Sequence, residues 1–170
     1  LIGPAVKKQD EWQNMDKEYE CVAWMGLSSD TYDIDGKVEV ANDFEKTELE
    51  NNVSKFMGYI RQTVPVYSAL KQKGKKLYAR ARDGDVDWKK LPMRDVKVDD
   101  FDILKWNKIS LEDLKRKVYV ESEKVWEVKV HFKVSSGTYI RSIIHEWGQS
   151  VGSDGVVVKL RRIKVGKWGI

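Results

Sequence analysis

The 170-residue sequence holds a single cysteine, Cys21, so no disulfide can form within the chain, which fits a reducing cytoplasm. Histidine is nearly as scarce. His131 and His145 fall on strand-like and helix-like segments, with no cysteine or carboxylate cluster at metal-ligand spacing. No metal is expected. The Gly-rich Lys-Ser/Thr loop and GxGxxG are both missing, which excludes the common nucleotide-phosphate cradles. There is no Gly-x-Ser-x-Gly elbow, and no Ser/His/Asp set can be assembled. No apolar run approaches the length of a membrane span. Internal repeats, low-complexity tracts and Gly/Ser linkers are lacking too, so one domain is expected.

What is present argues for a folded core. Hydrophobic residues make up 41% of the chain, and there are seven tryptophans. The net charge is only +4, but it is unevenly spread. Residues 1–50 carry five lysines against thirteen acidic residues. Seven basic and no acidic residues lie between Arg61 and Arg82, and five more, again unopposed, between Gly155 and Ile170. Two such segments on a nearly neutral chain suggest a localised polyanion footprint, with ordinary solvated faces as the alternative.

The segment Ser136-Gly137-Thr138-Tyr139-Ile140-Arg141-Ser142-Ile143-Ile144 organises the rest. Ahead of it, Trp126, Val128, Val130, Phe132 and Val134 alternate with charged residues, a strand pattern. After it, Ile140, Ile143, Ile144, Trp147 and Val151 recur at helical spacing, with Thr138 as the N-cap and Gly152 as the stop. Arg141 therefore falls in the first turn, beside the positive end of the helix dipole. A cation there suits a waiting anion, with a solvated arginine as the alternative.

Elsewhere, residues 17–26 read as a strand with Tyr19, Cys21, Ala23 and Met25 on one face, Cys21 being a buried inert thiol. Residues 45–57 read as one helix bearing Leu49, Val53, Phe56 and Met57, with capping-box spacing at Thr47 and Glu50. Tyr59 to Thr63 should be extended, Pro65 to Lys71 an ordered loop, and Leu77 to Ala81 a short helix stopped by Gly84. Strands are expected over 94–104, 117–134 and 155–168, with a helical turn over 111–117. Asp33-x-Asp35-Gly36 has the spacing of a calcium loop, but Asn42 stands where a bidentate Glu is required, so calcium is rejected. The pattern is α+β. Tyrosines recur beside cations: Tyr67 with Lys71 and Lys73, Tyr78 with Lys76 and Arg80, Tyr139 with Arg141. Phosphate-binding cations next to stacking rings suit unpaired RNA.

Five motifs then occur in order: Thr31-Tyr32-Asp33 to Gly36, Pro65 to Lys71, Gly74 to Tyr78 with Ala81-Arg82, Gly137 to Ser142, and Leu160-Arg161-Arg162. Together they resemble the TruB family of tRNA pseudouridine synthases, whose relatives include dyskerin. The resemblance implies a mixed, mostly antiparallel sheet flanked by helices, and a monomer that clamps the T-arm of tRNA. It also implies isomerisation of a T-loop uridine flipped from its stack, without metal or organic cofactor. By position, Tyr19 would stack on that base and is a candidate for late proton abstraction. Arg141 would pair with the catalytic aspartate, Tyr139 would support Arg141, and Leu160 would pack in the base pocket. Asp30, Tyr67, Arg161 and Arg162 would lie near the RNA. Charge adds Lys71, Lys73, Lys75 and Lys76 as backbone contacts.

The family's Gly-Thr-Leu-Asp-Pro motif, which holds the nucleophilic aspartate, is absent, and Leu1-Ile2-Gly3 resembles the segment just downstream of it. Ser136 also stands where many members have lysine. Residues 1–170 are therefore expected to be a partial catalytic domain, incomplete at the N-terminus, with no complete second domain. Such a fragment would be inactive alone, leaving Arg141 without its carboxylate. The alternative is a non-catalytic tRNA-binding or RNA-folding module derived from the same fold.

Overall fold

In the computed structural model, residues 9–72, 74–87, 90–109, 112 and 125–170 are described. Helix α1 (Gln9–Asn14) leads into strand β1 (Lys17–Met25), followed by a hairpin of β2 (Leu27–Ser29) and β3 (Val38–Val40). Helix α2 (Lys46–Asn51) passes into a 3₁₀ turn (Asn52–Phe56) and then β4 (Gly58–Thr63). A small hairpin of β5 (Lys71–Gln72) and β6 (Lys75–Lys76) precedes α3 (Leu77–Arg82). The long β7 (Met93–Lys108), β8 (Trp126–Val134), α4 (Ile140–Gln149), β9 (Gly155–Val165) and β10 (Trp168–Gly169) complete the chain.

Six strands form one sheet in the order β10-β9-β1-β8-β7-β4, and every pairing in it is antiparallel. This is the α+β architecture the sequence leads one to expect. Alternation sets its two faces. On one, Cys21, Ala23, Val128, Val130, Phe132 and Val134 are at most 1% exposed. Helix α4 lies across them and buries Ile140, Ile143, Ile144 and Trp147. Each such side chain contributes about 1.5–3 kcal/mol before ordering entropy is subtracted. Phe101 is packed between Phe132 and Trp147, at ring separations of 4.4 and 4.9 Å. The Trp147 indole N–H donates to the Leu49 carbonyl, tying α4 to the end of α2. Burial pushes the Cys21 thiol up to about 12, so it is a core atom and an inert one.

The opposite face is ionic over part of its length, while Trp24 and Val156 on it are buried in a second apolar cluster with Leu27 and Val125. Glu18 meets Lys164 at 2.8 Å, Glu20 meets Lys129 at 3.0 Å, and His131 lies between Glu18 and Asp102. The Lys164 hydrogen bond, more than any other influence, holds the Glu18 carboxyl below its ordinary value.

Three local expectations need correction. The helix expected over 45–57 stops after Asn51. Asn52 is buried, its amide bonded to the Ser150 carbonyl and hydroxyl, and the chain tightens to a 3₁₀ turn that leaves Met57 exposed. Its N-cap is Glu45, so Thr47 caps nothing. Thr138 is not the N-cap of α4 either. Its hydroxyl donates back to the Ser135 carbonyl, and Tyr139 occupies the cap position. The turn expected over 111–117 and the start of the strand expected over 117–134 fall largely outside the described residues.

Candidate active site

Everything converges on the first turn of α4. Tyr139 precedes it in extended conformation. The fully buried amide of Gln62, on edge strand β4, grips Tyr139 from both sides: Oε1 accepts the Tyr139 N–H at 2.8 Å and Nε2 donates to the Tyr139 carbonyl at 2.9 Å. One residue on, the Thr63 carbonyl accepts the Ser142 hydroxyl at 2.8 Å, and the Thr63 N–H donates to Glu146. The end of β4 thus latches α4 at three points. Burial pushes the Glu146 carboxyl above its ordinary value, with the Thr63 N–H opposing the shift.

Arg141 projects from the same turn and does find an anion. Its Nη1 lies 2.5 Å from Asp33 Oδ2 and 3.1 Å from the Thr31 carbonyl, while Nη2 donates to the Tyr67 carbonyl at 3.0 Å. Both side chains of the pair are about one-fifth exposed. The expectation that Arg141 would be stranded without a carboxylate is therefore wrong: Asp33, weighed on sequence grounds as a calcium ligand, is its partner. The other Asp33 oxygen is also engaged, accepting the Thr31 hydroxyl at 2.6 Å and the Asp35 N–H at 3.2 Å.

The loop carrying Asp33 is docked on the start of β9, where Ile34 N–H donates to the Val157 carbonyl and Val157 N–H to the Tyr32 carbonyl. Tyr32 has φ of 62°, the left-handed region that a bulky L residue avoids. Its ring stacks on His145 at 3.9 Å, and His145 Nδ1 lies 2.7 Å from Asp154 Oδ1. Burial, helped by Asp154 and Glu146, pushes the Tyr32 phenol up.

Tyr19 lies on β1 opposite Arg162, and Cys21 opposite Leu160. Directly opposed residues share a face, so Tyr19, Leu160 and Arg162 all lie on the α4 side of the sheet. A cleft of about 1070 Å³ opens there, lined by Tyr19, Tyr139, Arg94, Arg162, Trp12 and Trp168 among others. No acidic residue lines it. Lys17 also reaches it, but its ammonium is spent on the Gln13 and Met15 carbonyls, both at 2.5 Å. Burial first, then Arg162, lowers the Lys17 pKa. Arg94 and Arg162 are exposed and have no ion-pair partner among the described residues. The Arg94 guanidinium lies flat against Gly137. A Cβ there would sit 2.3 Å from Arg94 Cζ, which the exposed arginine can yield by swinging aside, whereas the φ of +80° favours glycine whatever the space.

The cleft therefore gathers Tyr19, Tyr139 and Arg162, while Arg141 and Leu160 are not among its lining residues. Arg141 turns instead toward the Asp33 loop. Leu160 and Arg161 are exposed farther along β9. Lys71, Lys75 and Lys76 project from the hairpin that turns at Gly74, with Lys76 and Arg82 both over the Tyr78 ring. Lys73 lies outside the described residues. Tyr67 contributes its carbonyl to Arg141, and Asp30 closes a turn by accepting the Lys37 N–H at 2.8 Å. Sequence reasoning missed Asp33, Gln62, Arg94, Trp12 and Trp168. Only Asp33 carried a usable signal, since it sits inside one of the five ordered motifs.

Residues 1–140 match the TruB family pseudouridylate synthase N-terminal domain. The chain belongs to the TruB family. It is 36% identical over 172 residues to tRNA pseudouridine synthase B of Fusobacterium nucleatum subsp. nucleatum, covering 99% of this chain and 53% of that protein. The protein of the same name from Clostridium tetani is 34% identical over 177 residues, with the same two coverages. The TruB chain described here thus spans about half the length of the curated relatives it matches. Among solved structures, a Cbf5-Nop10-Gar1 complex aligns with a TM-score of 0.62 at 20% identity, covering 99% of this chain and 36% of that one. An H/ACA RNP bound to a substrate RNA containing 2′-deoxyuridine aligns with a TM-score of 0.58 at 18% identity, covering 99% and 34%. These two likenesses establish the shared fold.

Proposed function

We propose that the chain forms the body of a tRNA pseudouridine synthase that isomerises a T-loop uridine, acting as a cytoplasmic monomer on the T-arm without metal or organic cofactor. The observation that carries this is the cleft itself. Two tyrosine rings and two uncommitted arginines face a space with no acidic lining, which suits a flipped base and its phosphates. In this reading Tyr19 stacks on the uracil. A carboxylate attacks C1′ as the N1–C1′ bond breaks, the detached base rotates, C5 attacks C1′ and expels the carboxylate, and the C5 proton leaves, with Tyr19 as its acceptor, while N1 takes up a proton.

Asp33 is not that nucleophile. Both its oxygens are already engaged by Arg141, the Thr31 hydroxyl and the Asp35 N–H. It holds Arg141, whose guanidinium retains donors for a second carboxylate. The nucleophile then comes from outside residues 1–170, where the resemblance places the Gly-Thr-Leu-Asp-Pro motif. Leu160 packs against the base, Tyr139 supports Arg141, and Asp30, Tyr67, Lys71, Lys73, Lys75, Lys76, Arg161 and Arg162 lie along the RNA.

The test is tritium release from tRNA labelled at uridine C5, using residues 1–170 and a chain extended upstream through that motif. Release is expected only from the extended chain, and only while the T-loop uridine is intact. Tight tRNA binding with no release from the extended chain would instead favour a non-catalytic RNA-folding module.

A further inference from the structure

Two consecutive loop residues engage two consecutive turns of α4. Asp33 meets Arg141, and Tyr32 meets His145, four residues farther along the same helix face. The second contact is a built one. The rings lie within 12° of parallel, and the imidazole plane is fixed by Asp154, which is 8% exposed and also accepts the Gly155 N–H at 2.7 Å. Tyr32 adopts a positive φ, an arrangement that persists only where the surroundings hold it. Its carbonyl, held by Val157 N–H, supplies one anchor, and the stacked ring supplies the other.

The geometry points to Tyr32 and His145 as positioning residues: a stacked clamp, braced by Asp154, that sets the backbone of the Asp33 loop and so places the carboxylate against Arg141. The left-handed turn at Tyr32 sends its ring to His145 while the next side chain points to Arg141. If the ring is lost, the loop keeps its sequence but loses the contact that fixes its distance from α4. The functional consequence rests on the reading of Arg141 as part of a pseudouridine synthase pocket. The structural consequence does not.

Three variants separate a clamp from general scaffolding. Tyr32→Phe keeps the ring and should behave as the parent. Tyr32→Ala loses the ring and keeps the backbone strain. Tyr32→Gly loses the ring and relieves the strain, so it should melt above Tyr32→Ala. Carried in the extended chain, both ring-less variants should nevertheless lose about tenfold or more in kcat on tRNA at unchanged KM, because Arg141 is misplaced. A purely structural role predicts that activity follows melting temperature, with Tyr32→Gly recovering; that recovery would overturn the clamp.

A second readout needs no turnover. Amide exchange at Ile34, whose N–H donates to Val157, should accelerate about tenfold or more in Tyr32→Gly and in His145→Ala, and stay at the parent rate in Tyr32→Phe. Parent-rate exchange at Ile34 in either Tyr32→Gly or His145→Ala would refute the clamp. Absence of tritium release from the extended parent chain would refute the proposed activity alone, leaving exchange to decide the clamp.

Discussion

The pair between Asp33 and Arg141 can be tested apart from any activity. In Asp33→Asn the side chain keeps its shape, and Arg141 keeps its hydrogen bonds to the Thr31 and Tyr67 carbonyls. What disappears is the counter-charge, in a setting where each side chain is only about one-fifth exposed. Solvated ion pairs are worth about 0.2–1 kcal/mol, and breaking a buried one costs about 3–5 kcal/mol. This pair lies between the two limits, so Asp33→Asn should destabilise the fold by about 2 kcal/mol, lowering the melting temperature by roughly 4–8 °C. The cleaner quantity is the coupling. Asp33→Asn, Arg141→Met and the double variant form a cycle whose interaction term should be about 1.5–2 kcal/mol. Urea is the denaturant to use, since guanidinium would screen the charges being measured. The cycle should also survive 1 M sodium chloride largely intact, because partly buried pairs are weakly screened. Additivity within about 0.5 kcal/mol, or a coupling that vanishes in salt, would mean that the guanidinium is solvated and the contact incidental.

Two further variants test the packing beneath it. Burial raises the Glu146 carboxyl pKa, so the folded form binds its proton more tightly than the unfolded chain does. Stability from this group is therefore complete below the ordinary value of 4.5 and is lost as pH rises through the higher folded value. Glu146→Gln should flatten urea midpoints over that interval, and parallel curves for parent and variant would contradict the assignment. Gly148→Ala sets sequence logic against structure: helix propensity alone predicts a gain of about 1 kcal/mol. The added Cβ would sit 2.4 Å from the Asp154 carbonyl carbon, which is backbone and cannot swing aside. A net loss of about 3 kcal/mol in thermal or urea melts is expected, and any stabilisation would rule out the close approach of α4 to β9.

The parts of this fold that are legible in the sequence are those whose information is local. β8 and α4 announce themselves by periods of two and 3.6, and their faces pack as the pattern says. The register that puts Tyr19 opposite Arg162 is not local, and no spacing rule yields it. Residues 45–57 carry a helical stripe, yet only the first half is α-helix, because Asn52 is committed to Ser150, which is 98 residues away. Thr138 shows the same limit on a smaller scale. A threonine ahead of a helix is a fair N-cap, but this one is used to close the preceding turn.

The site itself divides in the same way. Arg141 was recognisable as a cation needing an anion because the helix dipole makes its position costly, a fact readable from ten residues. Which anion answers it depends on a contact spanning 108 residues. That contact exists because the Asp33 loop pairs with the start of β9, the strand that α4 delivers. Gln62 arrives by a separate route, from the sheet edge through β4. Three segments distant in sequence thus meet at one helical turn, and each is held by hydrogen bonds to backbone as well as to side chains. Because a carbonyl or N–H is present whatever the residue, a pattern of side chains has no means of signalling it. Motif order could therefore place the chain in its family, while the partner of the arginine at the centre of the site became visible only in three dimensions.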